Sequence, residues 1–169
     1  MKKIFITTLL IGSTLSSAFT QVIVQRHNII ETMVQHVHSD SLKAHINGMV
    51  QFTTRHTLSD ASETGKGIGA ARLWVLQQMQ RYAQQSNGRM TAFLDTVTLP
   101  ADGKRVDQPT LLGNVMAVLK GSDPTDKRVF IISGHLDSRV TNIMNRTSFA
   151  PGANDDGSGV AAVMCSYHE

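Results

Sequence analysis

The chain has 169 residues, 41% of them hydrophobic, with 16 lysines and arginines against 13 acidic residues. That is one domain of ordinary size or part of a larger one, with apolar content enough for a core and too high for a disordered chain. Setting aside Lys2 and Lys3, the balance is 14 against 13, or +1, which leaves no basic footprint for nucleic acid; the single cysteine, Cys165, excludes an intrachain disulfide and a cysteine-rich zinc site.

The N-terminus reads as an address. Met1-Lys2-Lys3 is a short basic start, residues 4–12 are mostly apolar, and residues 13–18 are small and polar. This is the order of a secretory signal peptide, with cleavage expected after Ala18 and Thr20 as the second candidate. Residues 1–18 are therefore read as a leader and 19–38 as a lead segment. Residues 39–169 are read as the N-terminal part of a larger domain. The expectation is an exported protein, periplasmic or secreted from a bacterium. No membrane association is expected once the leader is gone, because no apolar run reaches spanning length.

Residues 22–38 have helical content but weak punctuation. Ser39-Asp-Ser41 is an N-cap cluster, and Leu42, His45, Ile46, Met49 and Val50 follow at helical spacing, which predicts a helix over about 40–52. Residues 53–65 are polar and read as a loop. Ile68, Ala71, Val75, Met79 and Tyr82 make the apolar face of a long helix to about Gln85, stopped by Ser86-Asn-Gly88. The glycine-rich stretch 65–69 has no strand before it, so it reads as a helix entry rather than a phosphate loop.

The pattern changes at residue 90. Residues 90–99 alternate and are rich in β formers, and residues 112–119 form a second predicted strand. Residues 129–133 (Val-Phe-Ile-Ile-Ser) are an uninterrupted apolar run of the kind that suits a central strand buried on both faces. Residues 136–157 read as loop, and residues 158–164 begin a helix.

His36-x-His38 reads as a solvated pair, and His27, His45 and His56 have no companion at ligand spacing. Asn145-Arg-Thr147 is a glycosylation sequon that carries little weight in a bacterial setting.

The informative stretch is Ser133-Gly-His-Leu-Asp-Ser138 followed by Ala150-Pro-Gly-Ala-Asn-Asp-Asp-Gly-Ser-Gly159. His and Asp are natural zinc ligands. A carboxylate two residues after a histidine can orient its ring. Carboxylates in a glycine-rich turn can approach a metal closely, and one carboxylate can bridge two metals that activate a water between them. Alone, His135 reads as readily as a satisfied core histidine, and residues 154–157 as a surface Asx turn. Their joint occurrence, at about 5% per position, does not arise by chance.

The combination resembles metallopeptidase family twenty-eight, the dizinc aminopeptidases. The match is to their Gly-His-x-Asp-Ser strand end and their Pro-Gly-Ala-Asn-Asp-Asp-Gly-Ser-Gly loop. Thr54-Arg-His-Thr57, Gly67-Ile-Gly-Ala-Ala-Arg72 and Gly113-Asn-Val-x-Ala-Val-Leu-Lys120 are similar to the family's lead-in, so the resemblance covers about residues 39–164. It implies an α/β fold with a mixed central sheet between helices. It also implies two zinc ions and hydrolysis of the bond after the first residue of a peptide with a free N-terminus. His135 would be a zinc ligand and Asp155 the carboxylate bridging both ions. Asp137 would be the partner of His135 outside the coordination sphere, and Asp156 would shape the loop. The resemblance further implies a cis peptide between Asp155 and Asp156.

The family continues with a Glu-Glu pair that supplies the general base and a ligand, then an Asp and a distal His. None has a counterpart before Glu169; Glu63 and Glu169 are in the wrong places. The expectation is a fold truncated after the first metal-binding loop, with two protein ligands of five and no general base, so that the chain as it stands is inactive. One permitted codon set for residues 165–169, read one nucleotide later, gives Ala-Arg-Ile-Met, which resembles the family's helix and suggests a frameshift or early stop. The alternative is an inactive fragment or a binding homologue of the same fold. Residue preference, oligomeric state and a carboxypeptidase-like or dipeptidase-like relationship stay open.

Overall fold

A computed structural model of the chain describes residues 27–62 and 64–167; the leader and its cleavage point lie outside the described residues. The elements run α1 (Asn28–Gln35), α2 (Ser39–Val50), α3 (Gly67–Gln85), β1 (Met90–Leu99), β2 (Thr110–Leu119) and α4 (Ser158–Cys165). The fold is mixed α/β, with four helices and a two-stranded antiparallel sheet. No helix among the described residues is long and apolar enough to cross a membrane.

The helices form where the apolar spacing calls for them. His45 and Met49 of α2 are buried, and Leu42 and Ile46 pack beside them. On α3, Ile68, Ala71, Val75 and Met79 are buried, with Tyr82 packed against the same cluster. This helix ends where Asn87 (φ 51°) and Gly88 (φ 77°) turn left-handed, a conformation in which both residue types are at home. Strands β1 and β2 pair in register from Met90↔Leu119 to Leu99↔Thr110. The connection is closed by the Asp102 carboxylate, whose Oδ1 accepts from the N–H groups of Lys104, Arg105 and Val106 at 2.7–2.9 Å.

The core lies where these pieces meet. Met49, Val75, Met79, Met90, Val160, Ala161 and Met164 form one buried cluster drawn from α2, α3, β1 and α4. α4 is thereby fixed against α2, and the turn immediately before α4 is fixed with it.

One expectation fails. Residues 129–133 do not form a strand, and Val129, Phe130 and Ile131 are 82–86% exposed. A strand buried on both faces needs neighbours to take its backbone hydrogen bonds and layers to cover it. Among the described residues the sheet consists of β1 and β2 alone, and neither pairs with this segment. The segment ends beside α4: a Cβ on Gly134 would lie 2.7 Å from the Val160 nitrogen, so only glycine permits this approach.

Candidate metal centre

Two segments distant in sequence converge. His135 follows the exposed apolar run, and Asp155 sits in the irregular turn before α4. His135 Nε2 lies 3.0 Å from Asp155 Oδ1. On the other side of the ring, Nδ1 lies 3.1 Å from the Asp137 carbonyl oxygen and 3.3 Å from Asp137 Oδ1. With Nδ1 donating to the Asp137 carbonyl, Nε2 is the nitrogen that faces Asp155; it can donate to that carboxylate when the ring is protonated and can bind a metal once that proton is lost.

Asp156 faces the other way. Its Oδ2 accepts from the His135 N–H at 3.0 Å and its Oδ1 from the Gly159 N–H at 3.1 Å. It therefore joins the histidine's backbone to the first turn of α4, where free N–H groups favour a carboxylate. The Asp155–Asp156 peptide is cis, as the resemblance implies. Asp155 has φ −110° and ψ 95°, so the turn is not helical at this point.

The electrostatics favour a cation. Partial burial by itself would lower the pKa of His135. The Asp137 carbonyl and the carboxylates of Asp137, Asp156 and Asp155 outweigh that, and the net pKa is raised above the ordinary imidazole value. A zinc ion offers an alternative positive charge at the same place.

The donors suit zinc in kind. Two ligands of a tetrahedral zinc at roughly 2.0–2.2 Å each lie about 3.4 Å apart, and Nε2 and Oδ1, separated by 3.0 Å, need part by only a few tenths of an ångström, roughly, to admit the ion. They fall short in number. Among the described residues no group of three or more His, Cys, Asp or Glu side chains could hold a metal ion. Asp156 is committed to backbone donors and Asp137 stands behind the ring. The chain thus presents one imidazole and one carboxylate, with the Asp155 side chain 90% exposed.

What holds the two segments together was not legible in the sequence. Arg55 is 1% exposed. Its Nε donates to the Leu136 carbonyl at 2.6 Å, Nη1 to the carbonyls of Pro151 (2.5 Å) and Met49 (3.3 Å), and Nη2 to the Gly152 carbonyl at 3.0 Å. Burial lowers its pKa, and the nearby charge of Asp137 opposes that shift. Its backbone belongs to the same seam. Ser138 Oγ accepts from the Arg55 N–H (3.0 Å) and donates to the Ala150 carbonyl (2.6 Å), and Ser138 N–H donates to the Arg55 carbonyl (3.3 Å). Beside it, Thr54 bridges Ala150.

This alters the reading of the loop glycines. A Cβ on Gly152 would lie 3.0 Å from Arg55 Nη2 and 2.5 Å from Ser138 Cβ, at a φ of 52° that disfavours any side chain. Gly152 makes room for the arginine rather than for a metal.

The other histidines among the described residues are structural or exposed. His45 is buried with Nε2 3.0 Å from the Tyr82 hydroxyl. His56 is buried with Nε2 3.0 Å from the Ile143 carbonyl, and its Nδ1 accepts from the Leu58 N–H. His36 and His38 are exposed where α1 ends and α2 begins. Stretch 65–69 is a helix entry, as expected. The sequon asparagine, Asn145, accepts from the N–H groups of Thr147 and Ser148 in a surface turn.

A segment ending in Gly-His-x-Asp, set against an Asn-Asp-Asp-Gly turn at a helix start, brings together one imidazole and one carboxylate, donors of the class that bind a divalent cation. Comparison with known proteins makes that class specific. Residues 114–167, which contain His135, Asp137, Asp155 and Asp156, match the model of peptidase family M28. Residues 114–167 thus resemble part of an M28 peptidase region. It is 44% identical over 135 residues to a probable zinc metalloprotease of Leptosphaeria maculans, covering 80% of this chain and 31% of the relative. It is 42% identical over 135 residues to one of Pyrenophora teres f. teres, covering 80% and 28%. A third, from Pyricularia oryzae, is 46% identical over 127 residues, covering 73% and 24%. The chain thus spans about a quarter to a third of the length of these relatives. No solved structure matches.

Proposed function

We propose that this region supplies the first two ligands of a dizinc exopeptidase site in an exported enzyme that removes the N-terminal residue from peptides. His135 would bind one zinc through Nε2 and Asp155 would bridge the pair. Asp137 would orient the imidazole and Asp156 would fix its backbone. The observation that carries this reading is the 3.0 Å approach of His135 Nε2 to Asp155 Oδ1, with the far side of the ring already engaged by Asp137. The relatives' description as probable zinc metalloproteases supports zinc as the metal. Bound zinc would lower the pKa of a coordinated water and polarise the scissile carbonyl.

With two candidate ligands and no group of three or more metal-ligating side chains among the described residues, the isolated chain is expected to bind zinc weakly and not to turn over substrate. The remaining ligands would come from residues outside this sequence. The test is release of the N-terminal residue from short peptides by the full-length gene product. Release that stops on chelation and returns with zinc supports the proposal, and release indifferent to chelators refutes it.

A further inference from the structure

We infer that Arg55 is a positioning residue whose guanidinium clamps the His135 segment to the Asp155 loop, so that the spacing of the two candidate ligands depends on it. Its bearing on catalysis rests on the zinc-site reading above; the clamp itself does not. The residue is buried to 99%, yet no carboxylate faces it at ion-pair distance among the described residues. Burying a guanidinium without such a partner is costly unless its donors are satisfied. Here they are satisfied by four carbonyl oxygens, Met49, Leu136, Pro151 and Gly152. These belong to three separate segments: the end of α2, the residue after His135, and the start of the Asp155 loop.

The planar fork is what allows one side chain to serve all three. Leu136 and Gly152 flank the two ligand positions closely, at one residue from His135 and three from Asp155. The Met49 carbonyl lies in the last turn of α2, at the negative end of the helix dipole, so the charge is settled against the helix that also anchors the core. Gly152 is a glycine because a Cβ would press on this guanidinium and on Ser138. The Ser138 hydroxyl, relaying between Arg55 N–H and Ala150 carbonyl, closes the seam from the backbone side.

The test is native-state amide exchange on the chain itself, read beside zinc titration. Arg55→Lys keeps the charge but loses the fork. The expected result is exchange at Ser138, Ala150 and Gly157 accelerated about tenfold or more relative to the paired amides of β1 and β2, because one cooperative unit has been released. Met79→Ala, in the core away from the seam, serves as a stability control and should leave that ratio at its wild-type value. Zinc affinity should fall about tenfold in Arg55→Lys beyond any loss in Met79→Ala, as for residues that orient ligands. Uniform acceleration in Arg55→Lys, matching Met79→Ala, would overturn the inference.

If Arg55→Lys does not fold, the wild-type chain still decides. The Arg55 Nε–H should exchange slowly and in step with Ser138 and Gly157; fast exchange, as from a solvated guanidinium, would overturn the clamp. A full-length protein that binds no zinc, with the seam still opening in Arg55→Lys, would refute the metal reading and leave the clamp standing.

Discussion

The His135 N–H donates to Asp156 Oδ2 at 3.0 Å while the His135 ring faces the neighbouring Asp155 at the same distance. Consecutive aspartates thus hold the same histidine by backbone and by side chain, and the turn before α4 sets both distances together. Asp156→Ala is expected to disturb His135 without removing a candidate ligand. Zinc affinity should fall by about 10–100-fold, measured by titration against a competing chelator, while helix content by circular dichroism stays near wild type.

Asp137→Asn should have a smaller effect. The ring nitrogen Nδ1 already lies 3.1 Å from the Asp137 backbone carbonyl, nearer than the carboxylate at 3.3 Å, and the carbonyl survives the substitution. The loss in zinc affinity should sit at the tenfold end of the usual range of about 10–100-fold. A hundredfold loss would mean that the carboxylate, not the carbonyl, sets the tautomer.

Zinc must displace the proton from His135. The carboxylates around the ring hold its pKa above the ordinary value, so the proton competes from a higher pH than for an isolated imidazole. Apparent zinc affinity should therefore fall as pH is lowered, with the decline setting in above the usual histidine range. Zinc titrations between pH 8 and pH 6, taken as rough bounds from the ordinary pKa of about 6.5, check this. A decline beginning only below that range would place His135 in a less acidic setting.

Gly152→Ala should destabilise the seam. A Cβ there meets Ser138 Cβ at 2.5 Å, the Asp155 carbonyl at 2.9 Å and Arg55 Nη2 at 3.0 Å, at a φ of 52°. The expected loss is about 1–3 kcal/mol in urea unfolding. A variant as stable as wild type would mean that the loop relaxes without cost.

Much of this arrangement was legible, and the illegible parts share a cause. The extents of α2, α3 and β1 follow from spacing carried within each segment, and the ligand motifs were readable because each is contiguous. Residues 129–133 misled because an apolar run reports a wish for burial, and the partners that would grant it have to come from elsewhere in a sheet. Arg55 stands in a polar loop and in the lead-in Thr54-Arg-His-Thr57, yet its role is not legible there because its acceptors at Leu136, Pro151 and Gly152 lie 81–97 residues away. An arginine that bonds only to carbonyls has no acidic partner in the sequence to betray it.

The central claim is that Asp155, facing His135, holds the metal. Zinc content and N-terminal residue release of the full-length protein, compared between wild type and Asp155→Asn, test it most directly. A neutral amide cannot offset two cations, so the variant should melt near wild type yet lose both zinc and turnover. Normal zinc content with most activity retained in Asp155→Asn would contradict the account.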